Sequence, residues 1–213
     1  MKRQTLAAAL LFLALTASHG TTPAKHKTIY DYSLVALDGK EVSLSTYKGK
    51  ALLIVNLASQ SIYREQLAAL QDLQKTYADK GLVILGIPSG DFGEQEPGDA
   101  DAIKHYYLDA QHITFPIYAK STLRGKDTIP LAKFLTDPKD GVAGGEVHWN
   151  FTKFLVNREG QPVARFEAGT DPADPDFRVV VEKVLDGSFK KQGGPGKEGN
   201  GPPAGGDDDD DGV

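Results

Sequence analysis

Five consecutive apolar residues, ALLIV at 51–55, stand out from a mixed chain, and a polar stretch then leads into leucines at 67, 70 and 73. A membrane span takes about 20 apolar residues, so a run this short and this rich in branched side chains predicts a strand buried on both faces. The leucine spacing, with Glu65 in the first turn and Gly81 as a stop, predicts a helix opening at Ser61. Residues 82–87, LVILGI, repeat the strand pattern. Strand, helix and strand in that order predict a parallel pair joined by a right-handed crossover.

Ahead of this unit, 29–34 and 40–44 read as two strands, with Asp38 and Gly39 as the turn of a hairpin. Beyond it, the three glycines and two prolines of PSGDFGEQEPG make 88–98 a loop. Residues 99–109 predict a helix with Ile103 and Tyr107 on one face, 113–118 an extended piece, and 131–135 a short helical turn before the glycine-rich 140–145. A second hairpin is expected from 151–156 and 163–166 around 158–160. Residues 172–185 close the domain as a helix whose apolar face holds Phe177, Val180, Val181, Val184 and Leu185.

Both ends differ from this pattern. Lys2 and Arg3 precede an Ala- and Leu-rich run at 6–17, and Ser18 and Gly20 suit cleavage after Gly20, so 1–20 reads as a signal peptide and the protein as exported, periplasmic or secreted. No membrane attachment is expected after cleavage. Residues 21–27 form a polar lead-in, 28–187 the folded domain, and 188–213 a disordered tail that is Gly- and Pro-rich and ends in five aspartates at 207–211. The aspartate run reads as a solvated acidic segment, with calcium binding as the alternative.

Length and composition, 213 residues with 40% hydrophobic and 25% charged, suit one soluble domain. A net charge of -5 argues against a nucleic-acid partner. The chain has no cysteine, and its one methionine is Met1, which cleavage would remove. The mature domain would then contain no sulfur and rely on its core without disulfides.

Four blocks, NLAS at 56–59, GLVILGIPSGDFGEQEPG at 81–98, ITFP at 113–116 and WNFTKFLVNREG at 149–160, together resemble the glutathione peroxidase family over about residues 28–185. The resemblance implies an α/β thioredoxin-like three-layer fold, a central mixed sheet flanked by helices and preceded by an N-terminal β-hairpin. It also implies hydroperoxide reduction by a Cys or selenocysteine at the strand-to-helix turn, held with a Gln, a Trp and an Asn. The thiolate attacks a peroxide oxygen, becomes a sulfenic acid, and is restored by glutathione or thioredoxin.

Carried over, the family's site falls on Ser61, Asp91, Trp149 and Asn150, with Ser in place of the nucleophile and Asp in place of the Gln. Ser89 and Gly90 stand where Cys and Asn are common, Ile62 replaces a usual Gly and Arg64 a usual Thr, and 106–109 hold no resolving Cys. A serine hydroxyl is essentially un-ionised and lacks sulfur's two-electron chemistry, whereas a free Cys is already a few per cent thiolate at neutral pH. An Asp beside a thiolate would further disfavour it by like-charge repulsion.

The expectation is therefore a family member without thiol peroxidase activity, acting as a binding or structural module, with a small polar ligand or hydroperoxide at the vestigial site and no cofactor or metal. Residual peroxide defence is the alternative. A minor one is a hydrolase using Ser61, His148 and Asp91, although strand alternation would turn His148 away if Trp149 faces the site. His105 and His112, seven apart, lack the short paired spacing of a zinc site. Glu94 and Glu96 read as structural, and the Asn150-Phe151-Thr152 glycosylation pattern as coincidence.

Overall fold

The computed structural model describes residues 27–142 and 145–190. The expected signal peptide, most of the lead-in and nearly all of the acidic tail lie outside the described residues.

Thr28 shapes the entry to the domain. Its hydroxyl accepts the Tyr30 N–H at 3.3 Å while its own N–H donates to the Asp31 carboxylate at 2.9 Å. This reciprocal capping winds Ile29–Asp31 into a 3-10 turn where a strand was expected. Pairing starts only at β1 (Ser33–Val35), which runs antiparallel to β2 (Glu41–Ser43) across the expected turn, with Gly39 at φ +81°.

β3 (Ala51–Leu57) is buried at every position. It lies inside a four-stranded sheet of order β4-β3-β5-β6, parallel to β4 (Leu82–Pro88) and antiparallel to β5 (Lys153–Val156), with β6 (Pro162–Phe166) antiparallel at the edge. Alternate β3 side chains serve two cores. Ala51, Leu53, Val55 and Leu57 pack with Leu67, Leu70 and Leu73 of α1 (Gln66–Tyr77). Leu52 and Ile54 face the opposite side.

The remaining helices complete the layers. α2 (Ala100–Lys104), capped by the Asp99 carboxylate accepting Ala102 N–H at 3.0 Å, widens into a π-helical turn over His105–Ala110 instead of running on as one α-helix. That segment draws Tyr107 into the interior, where its hydroxyl donates to Glu96 at 2.7 Å. α3 (Pro130–Leu135) covers Leu52 and Ile54 through Leu131, Phe134 and Leu135. α4 (Pro175–Leu185) joins the α1 side through Phe177, Val181, Val184 and Leu185. It starts at Pro175 and not at 172, because the Asp174 carboxylate accepts the Asp176 N–H at 2.8 Å and sets the cap there.

Candidate functional site

The site grows from the carboxyl end of β3. Ser61 is fully buried and its hydroxyl accepts the Tyr63 N–H at 3.3 Å, capping a 3-10 turn over Ile62–Glu65. α1 begins only at Gln66, so Ser61 stands at the mouth of this turn and not at the α-helix N-terminus expected for it. The neighbouring residues bind the loop after β4. Gln60 N–H donates to the Gln95 carbonyl at 2.9 Å, and Ser59 donates from both its N–H and its hydroxyl to the Glu96 carboxylate, at 3.0 and 2.9 Å. Glu96 is 2% exposed and structural, as expected of that loop.

Trp149 and Asn150 approach the same loop from the other side. Asn150 is fully buried, which removes it as a glycosylation site, and its Nδ2 donates to the Phe92 carbonyl at 3.2 Å and to Gln95 Oε1 at 3.0 Å. Its Oδ1 is buried and has no hydrogen-bond partner among the described residues. The Trp149 indole is 38% exposed and meets Phe92 edge-on, with ring centroids 6.4 Å apart. Asn56 holds the turn from β3: its Nδ2 donates to the Trp149 carbonyl at 3.1 Å, its N–H to the Thr152 carbonyl at 3.1 Å, and Phe151 N–H donates to its carbonyl at 2.7 Å. Phe151 sits at φ +64°, which is why β5 starts two residues later than the sequence pattern suggests.

Asp91 does not join this group through its side chain. Its Oδ2 accepts the Ser89 hydroxyl at 2.8 Å and the backbone N–H groups of Leu123 and Arg124. The Arg124 guanidinium lies 4.8 Å over the Phe92 ring and donates to the Asp91 carbonyl at 3.2 Å. Gln95 thus gathers Ser61, through Gln60, with Asn150, while the Asp91 carboxylate anchors the segment at 123–124.

The histidines stand apart from Ser61. His148 and Trp149 lie in a loop, so strand alternation does not apply to them. His148 Nδ1 lies 3.5 Å from the Glu167 carboxylate, and among the described residues no imidazole or carboxylate hydrogen-bonds the Ser61 hydroxyl. His105 lies 3.5 Å from Asp109, one helical turn on.

Two residues near the site escape a reading of the sequence. Gln95 differs in nothing local from the other polar residues of its loop. Lys153 leaves a signal, a lysine alternating with Leu155 inside an apolar strand, and its buried Nζ donates to the carbonyls of Phe151 and Thr170, both at 2.8 Å.

A family model described as glutathione peroxidase matches residues 29–136, and a hydroperoxy fatty acid reductase of Synechocystis is 41% identical over 170 residues, covering 77% of this chain and 99% of the relative. The chain belongs to the glutathione peroxidase family. A glutathione peroxidase of Lactococcus lactis is 39% identical over 156 residues, covering 73% of this chain and 98% of that one. Among solved structures, GPX1 of T. cruzi superposes with a TM-score of 0.59 at 30% identity, covering 77% of this chain and all of that one. A thioredoxin-family thiol:disulfide interchange protein from Chlorobium tepidum matches in fold, with a TM-score of 0.52 at 24% identity over 72% of this chain and 92% of that one. The family's thioredoxin-like sheet and early hairpin are therefore both present, as the sequence blocks implied.

Proposed function

We propose that this member of the glutathione peroxidase family has lost thiol-dependent hydroperoxide reduction and serves, after export, as a binding or structural module. The observation that carries the reading is the state of Ser61: a buried hydroxyl engaged as a cap, in a chain without cysteine. A hydroxyl oxygen cannot take up and release an oxygen atom as a thiolate does through a sulfenic acid. The Asp91 carboxylate supports the same reading, because it is committed to Leu123 and Arg124. The half-exposed Trp149 beside Asn150 is the place for a small polar ligand or an unreacted hydroperoxide. Export rests on the charged and apolar pattern of 1–20.

The second reading is residual hydroperoxide reduction. It is favoured by the preserved Trp149-Asn150 turn and by the names of the relatives, hydroperoxy fatty acid reductase and glutathione peroxidase.

The test is steady-state turnover of hydrogen peroxide and an organic hydroperoxide, with glutathione or thioredoxin as reductant, by wild type and by Ser61→Cys with Asp91→Gln. A silent wild type and an active double variant are expected. Enzyme-like turnover by wild type would overturn the reading and favour the second one.

A further inference from the structure

Lys153 opens β5 with a side chain that is fully buried and on the same side of the sheet as Leu155. Among the described residues its Nζ donates to three backbone carbonyls and to no carboxylate: Phe151 at 2.8 Å, Thr170 at 2.8 Å and Ala168 at 3.4 Å. Two segments meet at this one nitrogen. One is the turn that presents Trp149 and Asn150, where Phe151 occupies a left-handed backbone conformation. The other is the connection from β6 to α4.

Charge reaches the nitrogen from that connection, through Glu167 and Asp171. Glu167 is itself flanked by Arg165 of β6, whose Nε lies 2.9 Å from its carboxylate, and by His148 at 3.5 Å. The other elements offer uncharged groups: Val55 of β3 and Phe166 of β6 are its register partners, and Gln66 at the start of α1 donates to the Ala168 carbonyl at 2.9 Å. Burial pushes the Lys153 ammonium down to about 7, against the opposing pull of Asp171 and Glu167.

Proton count and acceptor count match in one state only. An ammonium has an N–H for each of the three carbonyls, whereas a neutral amine has two and turns a lone pair toward the third. The carbonyl that can be given up is Ala168, the most distant of the three and the one already served by Gln66.

We propose that Lys153 is a proton-operated tie between the Trp149-Asn150 turn and the segment at 167–171, holding all three carbonyls when charged and surrendering Ala168 to Gln66 when neutral. The turn at Trp149 and Asn150 feels this change because the neutral amine must re-aim its two remaining N–H groups at the Phe151 and Thr170 carbonyls, so the conformation of the candidate site is linked to pH through a group that is not part of it.

Trp149 is the only tryptophan in the chain, so intrinsic emission reports on this turn. Titration of the folded full-length protein from about pH 5.5 to about pH 9.5 should show a shift in emission centred near neutral. The shift should be lost in Lys153→Met and kept in His148→Gln, which removes the imidazole next to the indole.

Because Lys153→Met can fail to fold, the proton equilibrium is also read directly in wild type, by the 13Cε resonances of labelled lysines. One lysine, identified by its absence from Lys153→Arg, should titrate near neutral. The proposal is overturned if no lysine titrates near neutral, or if the emission shift survives Lys153→Met. A neutral-pH lysine with no accompanying emission change, or a shift lost with His148→Gln, overturns it as well.

Discussion

The carboxylate of Asp91 receives the backbone N–H of Leu123, across 32 residues of sequence, and not the hydroxyl of Ser61. In the position where the family resemblance puts a Gln, the chain has an anchor for the segment that leads into α3. Asp91→Ala leaves the Leu123 and Arg124 N–H groups without their acceptor and should lower stability by about 2 kcal/mol, the usual cost of stranding a donor bound to a charged group. Asp91→Asn, which keeps one oxygen, should lose about half as much. Urea unfolding of the three proteins measures both steps.

Glu96 makes a stronger demand on its neighbours. Its carboxylate collects the Ser59 N–H, the Ser59 hydroxyl and the Tyr107 hydroxyl in a nearly sealed position. The Tyr107 proton is firmly held, since burial and then the charge of Glu96 both raise its pKa. Glu96→Gln would turn an NH2 toward one of these donors and should cost about 2 to 3 kcal/mol. Ser59→Ala, which removes the hydroxyl donor and leaves the N–H, should cost about 1 kcal/mol. Thermal unfolding that shows Glu96→Gln as the milder change would contradict this account.

What the sequence made legible follows from where each signal resides. The apolar run of β3 and the leucine spacing of α1 are collective patterns; β3 appears where its pattern put it, while α1 follows the leucines but opens at Gln66 and not at Ser61, because a 3-10 turn over Ile62–Glu65 intervenes. Ile29–Asp31 failed because two side-chain hydrogen bonds from Thr28 and Asp31 outweigh a strand-like composition. Trp149 and Asn150 lie in one of the blocks that carry the family resemblance, and Ser61 lies two residues beyond another. The direction of the Asp91 carboxylate was not, because its acceptor role depends on a loop 32 residues away. Gln95 escaped for the same reason: its partners, Gln60 and Asn150, come from two other parts of the chain.

Gly86 shows how tightly the sheet closes over the α1 side. A Cβ at this position would lie 2.6 Å from Cδ1 of Leu57 and 2.6 Å from Cδ1 of Ile117, far inside contact distance. Gly86→Ala should therefore destabilise by about 1 to 3 kcal/mol through overpacking. Ile117→Val removes one of the two clashing methyls, so the double variant should recover part of that loss. A double-mutant cycle with no coupling would mean that the backbone of β4 shifts to relieve the crowding instead.

Lys153 should also leave its mark on stability. Its folded-state pKa lies at about 7, and an unfolded lysine keeps a value near 10.4. Between these limits the unfolded chain holds one proton more than the fold, so stability from this group rises with pH and is lost as pH falls through the folded value. This direction is compatible with the ammonium making the fuller set of hydrogen bonds, because removing a buried charge from water costs more than the third bond returns. Relative to Lys153→Met, in which the other titrating groups cancel, wild type should gain about 2 kcal/mol between pH 7 and pH 9. Urea unfolding of both proteins at the two pH values measures the difference, and a gap that does not change with pH would show that Lys153 stays charged in the fold.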